Sequence, residues 1–117
     1  MLFLVVFILD DPTWCSGILD AWESVGVTGI TILESSGLGR IRKAALREDL
    51  PLISTFSEVL KHQETSHRTL FSVVKGQDLV DRIVEVTEEA VGDLEQEDNG
   101  FLFVLPVSQV HGLRSLE

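Results

Sequence analysis

Residues 2–9 read Leu-Phe-Leu-Val-Val-Phe-Ile-Leu, eight consecutive apolar side chains closed by Asp10-Asp11-Pro12. A strand sends alternate side chains to opposite faces, so a run with no polar position is buried on both. Two more segments behave the same way. Phe101-Leu102-Phe103-Val104-Leu105 places Phe101, Phe103 and Leu105 on one side and Leu102 and Val104 on the other. Leu70-Phe71-Ser72-Val73-Val74 is interrupted only by Ser72. Any fold of this chain must therefore cover both faces of its sheet. The first run is too short to span a bilayer as a helix. It also lacks the basic flank and small-residue cleavage site of a leader, so a buried strand is expected.

The remaining elements follow from local signals. Asp11-Pro12 is a helix start, with a capping acceptor followed by a proline at the first helical position. The helix is expected to reach about Ser24, with Trp14, Ile18, Trp22 and Val25 on one face, and Gly26 to stop it. A second strand is expected over Thr28–Ser35, a third over Thr69–Val74 and a fourth over residues 101–107. Between the third and fourth, a helix from Asp78 to Val91 turns Leu79, Ile83, Val86 or Thr87, and Ala90 inward. The long connection from 36 to about 67 contains Thr55-Phe56-Ser57-Glu58, a capping-box pattern that predicts a short helix from Phe56 to about Lys61.

The order is β-α-β, a long loop, then β-α-β. With right-handed crossovers this is an α+β ferredoxin-like βαββαβ sandwich, a four-stranded antiparallel sheet with two helices on one face. At 117 residues it is a single domain, 1–117. Pro106 agrees, because a proline belongs on an edge strand and the fourth strand lies at an edge in that topology. Two helices cover one face only. Burying a large apolar side chain contributes about 1.5–3 kcal/mol, so half a dozen left wet would forgo on the order of 10 kcal/mol, the scale of a domain's net stability. Copies of the chain are the simplest cover, with the long 36–67 loop folded over its own sheet as the alternative, and an obligate homo-oligomer is expected.

The formal net charge of −10 excludes nonspecific binding to nucleic acid or to an anionic membrane. One cysteine, Cys15, forms no internal disulfide and fits a reducing, cytoplasmic setting. Against this acidic background, Gly37-Leu38-Gly39 is followed by Arg40, Arg42, Lys43 and Arg47. On its own, a Gly-x-Gly reads as a plain turn. It has no third glycine for a dinucleotide fingerprint and no Gly-Lys-Ser/Thr for a P-loop.

Three stretches together resemble the PII signal-transduction family and its PII-like relatives. Residues 18–40, ILDAWESVGVTGITILESSGLGR, are similar to that family's first helix, second strand and Gly-Phe-Gly-Arg entry into the T-loop. Residues 70–90 and 99–110 are similar to its third strand, second helix and fourth strand. The resemblance implies a regulatory, non-enzymatic homotrimer with its sheets facing inward. It places an adenine nucleotide (ADP, AMP, ATP or a cyclic nucleotide, none obligatory) in clefts between subunits. Carried over by position, Thr31 sits near the adenine. Gly37, Leu38 and Gly39 bring backbone to the phosphates, Arg40 supplies a charged fork, and Arg114 matches one of two late arginines. The loop 41–68 then signals to a protein partner, such as a transporter or an enzyme, with Leu50, Leu52, Ile53 and Phe56 as contacts.

The chain departs from the family pattern in several places. The second phosphate loop, Thr-Gly-Lys-x-Gly-Asp-Gly-Lys in the family, is here Val91-Gly92-Asp93-Leu94-Glu95-Gln96-Glu97-Asp98-Asn99-Gly100-Phe101, with Phe101 in place of the last lysine. Carboxylates beside a triphosphate repel it unless a metal intervenes. Gly112 replaces the other late arginine, Ile41 replaces the glutamine used for 2-oxoglutarate, and the chain has no tyrosine to be uridylylated. The pattern suits a less charged effector than ATP.

Other candidates are weaker. His62, Glu64 and His67 do not align on one helical face, and no metal site is expected. His111 is expected to be structural, Cys15 to be a packing residue, and Trp14 and Trp22 to be core or interface residues. The run Glu85, Glu88, Glu89, Asp93 and Glu95 reads as a solvated helix face. A structural or metal-tolerance trimer of the CutA kind, which shares this architecture, is the alternative from another class. No nucleophile–base pair suggests an enzyme.

Overall fold

The first strand, β1 (Leu2–Leu9), ends where Asp11 turns the chain. Asp11 Oδ1 accepts from the backbone N–H of Thr13 at 3.0 Å and from its hydroxyl at 2.8 Å. Pro12 opens a single 3₁₀ turn, Pro12–Trp14, which runs into helix α1 (Cys15–Ser24). Gly26, at φ 109, ends that helix. Next come β2 (Thr31–Ser35), β3 (His67–Lys75), helix α2 (Gln77–Val91) and β4 (Phe101–Val107). The structure is a computed structural model and describes residues 1–9, 11–35, 67–96 and 99–113.

The described strands form one sheet in the order β2-β3-β1-β4, and every neighbouring pair is antiparallel. With α1 and α2 on one face, this is the ferredoxin-like α+β sandwich. Pro106 lies on β4, an edge strand, as its missing N–H requires. On the helix side Val5, Phe7 and Leu9 from β1 meet Leu70 and Val74 from β3, under Ile18 and Trp22 of α1 and Val80, Ile83 and Val86 of α2. Ser72 is the buried polar residue in this layer. Its hydroxyl donates to the carbonyl of Gly29 and ties β3 to the segment entering β2.

The other face carries no described helix. Register places Leu2, Leu4, Val6 and Ile8 there, flanked by Phe71 and Val73 on β3 and by Phe101, Phe103, Leu105 and Val107 on β4. Leu33 joins them from β2. Only Val6, at the centre, is buried; Leu33, Leu105 and Phe101 are 51%, 48% and 60% exposed. The apolar character of both strand faces, legible in the sequence, thus becomes one packed layer and one open apolar layer.

Several boundaries and placements differ from expectation. β2 begins at Thr31 rather than Thr28, because Val27 is already committed to the core and Gly29 is held by Ser72. β3 begins at His67 and ends at Lys75, since His67 and Arg68 pair with Ser35 and Glu34. The long connection is correspondingly shorter than residues 36–68. Of the two places expected for Trp14, core or interface, the core is excluded: it is 44% exposed, because it lies in the 3₁₀ turn ahead of the helical face that Ile18 and Trp22 share. Val80 joins the buried face of α2, where Leu79 and Ala90 are only partly buried. His111 is exposed, within reach of Gln109 at 3.4 Å, and has no buried structural role. Cys15 packs partly buried against the core, as a small packing residue does. The expected helix from Phe56 to Lys61 lies outside the described residues.

Candidate functional site

Two features at one end of the sheet frame a site. The first is the clamped mouth of the 36–66 segment. Ser35 and His67, the last residue of β2 and the first of β3, are register partners. Behind them Arg68 Nη2 and Glu34 Oε1 form a cross-strand ion pair at 3.1 Å. The hydroxyls of Ser35 and Thr69 share a hydrogen bond at 2.9 Å. These contacts hold the segment's two ends side by side whatever lies between them. Thr31, four residues earlier on β2, is exposed on the helix-free face and opposite Phe71.

The second feature is the connection from α2 to β4. Gly92, at φ 93, ends α2, and its N–H donates to Glu88 O at 2.8 Å. Asp93 then organises the turn. Its Oδ1 accepts from Glu95 N at 2.9 Å, and its carbonyl accepts from Gln96 N at 3.1 Å and from Asn99 Nδ2 at 2.8 Å. Glu88 Oε2 reaches back to Leu94 N at 3.2 Å. Between this turn and β4 lies a groove of about 410 Å³ lined by Val84, Glu88, Leu94, Glu95, Phe101 and Leu102. A second cavity, by Leu9, Asp11, Trp14, Val91 and Asn99, measures about 40 Å³, roughly the room of a water molecule or two.

The register relates the two features. Leu33 pairs with Thr69, Thr69 with Ile8, and Ile8 with Phe101, so the end of β2 and the start of β4 lie at the same end of the sheet. They occupy opposite edges, three strand spacings apart, or about 14 Å. Within one chain they do not meet. They become neighbours when the β4 edge of one copy approaches the β2 edge of another.

Of the residues expected at a nucleotide site, Thr31 alone is among the described residues. Gly37, Leu38, Gly39, Arg40 and Arg114 lie outside the described residues, as do the loop residues Leu50, Leu52, Ile53 and Phe56. The backbone amides of the α2–β4 turn and the carboxylates that hold them are additional. Glu88 and Asp93 are exposed, as a solvated face requires, and the fold-back at Gly92 also brings their carboxylates onto the amides of Leu94 and Glu95. Among the described residues, no group of three or more His, Cys, Asp or Glu side chains is placed to hold a metal ion. None of the described helices is long and apolar enough to cross a membrane.

The family model for nitrogen regulatory protein P-II matches residues 5–117. The chain belongs to the P-II family. Solved structures of the same fold include GlnK of B. subtilis in complex with ATP, at 16% identity and a TM-score of 0.56. That match covers 92% of this chain and 82% of that one. A second B. subtilis GlnK structure gives 14% identity and a TM-score of 0.56, covering 92% and 85%. Arabidopsis thaliana PII bound to citrate gives 22% identity and a TM-score of 0.61, covering 92% and 78%. Among the curated proteins there is no match. Membership makes this P-II chain a signal-transduction regulator of that type, while the low identities carry the fold alone.

Proposed function

We propose that this P-II chain is a homotrimeric sensor that binds an adenine nucleotide or a similar small anion between subunits and relays it to a protein partner. Thr31 takes the base. Gly37, Leu38, Gly39 and Arg40 take the phosphate side, Arg114 assists, and the segment 41–68 with Leu50, Leu52, Ile53 and Phe56 meets the partner. The observation that carries this reading is the placement of the end of β2, from which the sequence runs on to residues 37–40, and the α2–β4 turn at one end of the sheet but on opposite edges, with Thr31 further in at the level of Phe103 and beside an uncovered apolar face. A site split in this way is completed by a second copy, and the apolar face supplies the reason for copies to associate. Glycines at 37 and 39 let backbone approach an anion without a Cβ in the way, and an arginine fork suits a phosphate. The signal is differential: an effector shifts the loop only by as much as it prefers one loop state over another.

The test is a thermal-shift panel of adenosine, AMP, ADP, ATP, cyclic nucleotides, bicarbonate and 2-oxoglutarate. A ligand at a hundred times its Kd stabilises by about 2.7 kcal/mol per site. The expected result is a shift with an adenine nucleotide that Arg40→Ala removes while the oligomer survives. A shift unchanged in Arg40→Ala removes Arg40 from the site. No shift with nucleotides, together with a shift by Cu²⁺ or Zn²⁺, would move the chain to the CutA-like reading.

A further inference from the structure

We propose that the α2–β4 connection excludes di- and triphosphates from the intersubunit cleft, because it already holds its own carboxylates where an anion would dock. The inference rests on the nucleotide reading above and narrows it to a class of ligand. Consecutive backbone amides in a turn are the usual cradle for a phosphate. In this turn three consecutive amides are taken. Leu94 N donates to Glu88 Oε2, Glu95 N to Asp93 Oδ1 and Gln96 N to Asp93 O. Two of the three acceptors are carboxylates, so the turn is filled by an internal anion. The Asp93 carbonyl is further held by the Asn99 amide at 2.8 Å, which braces the far end of the turn.

The surrounding charge acts in the same direction. Between Arg82 and Arg114 the sequence contains seven Asp and Glu residues and no Lys or Arg. Among the described ones, Glu88 and Glu95 line the groove whose remaining walls are Val84, Leu94, Phe101 and Leu102. A polyphosphate tail reaching this turn would have to displace two carboxylates from their amides and then lie beside them, with no cation from residues 83–113 to offset the repulsion. Each added phosphate charge therefore weakens binding, on the order of tenfold per unit charge at short range near a protein surface. The ligand that fits is an adenosine or adenosine monophosphate, which brings no second phosphate to this turn.

The experiment is a calorimetric titration of the full-length protein with adenosine, AMP, ADP and ATP, in EDTA and again in excess Mg²⁺. The expected result is that AMP binds at least about tenfold more tightly than ATP in EDTA, with the gap narrowing in Mg²⁺ as the metal offsets the repulsion. ATP binding as tightly as AMP in EDTA overturns the inference and leaves the nucleotide reading standing. Failure of all four ligands to bind overturns both. The double variant Glu88→Gln, Asp93→Asn keeps oxygen acceptors for the turn amides while removing both charges. With its fold verified by circular dichroism, its ATP-to-AMP affinity ratio should rise at least about tenfold; an unchanged ratio also overturns the inference.

Discussion

The indole N–H of Trp22 on α1 donates to the hydroxyl of Thr87 on α2 at 2.9 Å, and both side chains are fully buried. The Thr87 hydroxyl in turn donates to the carbonyl of Ile83 at 2.6 Å, one helical turn back. The largest aromatic in the core thus has its one polar atom satisfied, and the two helices are held in one relative position. Apolar packing between Ile18, Trp22, Val80 and Ile83 supplies attraction without direction, whereas this bond specifies which turn of α2 faces which turn of α1.

Replacing Thr87 by valine keeps the volume but leaves the buried indole N–H without an acceptor. The expected cost is about 1–3 kcal/mol. Thr87→Ser, which keeps the hydroxyl and loses a methyl, should be milder, at about 1 kcal/mol. Urea denaturation at a fixed protein concentration checks the order; a valine variant as stable as wild type would mean the bond contributes nothing.

Gly100 precedes β4 at φ 101, and a Cβ built there would lie 2.6 Å from two ring carbons of Phe7 and 3.0 Å from the carbonyl oxygen of Ile8. Phe7 is fully buried beneath the helices, so its ring has no open space to retreat into. Gly100→Ala combines a strained backbone with overpacking, together about 2–4 kcal/mol. Either a markedly lowered denaturation midpoint or loss of folded protein on expression is expected. A midpoint within error of wild type would show that the β4 entry can shift.

The Glu34–Arg68 pair should be asymmetric. Side-chain exposure is 65% for Glu34 but 18% for Arg68. Glu34→Ala removes a largely solvated charge and is expected to cost under about 1 kcal/mol, shrinking further in high salt. Arg68→Ala also strips a buried aliphatic stem from beside β1 and should cost more. Equal losses in chemical denaturation, or a larger loss for Glu34→Ala, would contradict this ranking.

How much of this was legible in the sequence depends on what set each element. β1 and β4 have the expected bounds because each is an unbroken apolar run between turn residues, Asp10-Asp11-Pro12 after one and Gly100 before the other. β2 ends at Ser35 as expected but starts later, because Val27 and Gly29 are already held by the core and by Ser72, and β3 starts earlier because the cross-strand register that pairs Ser35 with His67 leaves no mark on either segment alone. Trp14 is outside the core of the single chain because a spacing of four residues assumes α geometry that the 3₁₀ turn does not supply, which leaves the interface place also expected for it. The expectation that Thr31 meets a base comes only from family resemblance, since an exposed threonine on an edge strand has no local signature. The capture of Leu94 and Glu95 by Glu88 and Asp93 depends on the reversal at Gly92, and spacing alone does not reveal which carboxylate meets which amide.

The helix-free sheet face yields the prediction on which the oligomer depends. Eleven apolar side chains share that face, from Leu33 at one edge to Val107 at the other. Taking a half-exposed Leu, Val or Phe to full burial contributes about 1 kcal/mol, half the value for complete transfer. The face as a whole is then worth on the order of 10 kcal/mol, within the range of about 4–15 kcal/mol estimated for the freedom lost on association. Such an interface holds together at working concentration but has little reserve. Leu105 is 48% exposed and outside the helix-side core, so Leu105→Asp spares the folding of one chain. In the assembly, however, it buries an unpaired carboxylate, at a cost of several kcal/mol. Light scattering at micromolar concentration should find wild type associated and Leu105→Asp dissociated, with the helix and strand content of the two matching by circular dichroism. A wild-type chain that scatters as a monomer there, folded and stable, would leave the two halves of the site at opposite edges of one sheet with nothing to join them.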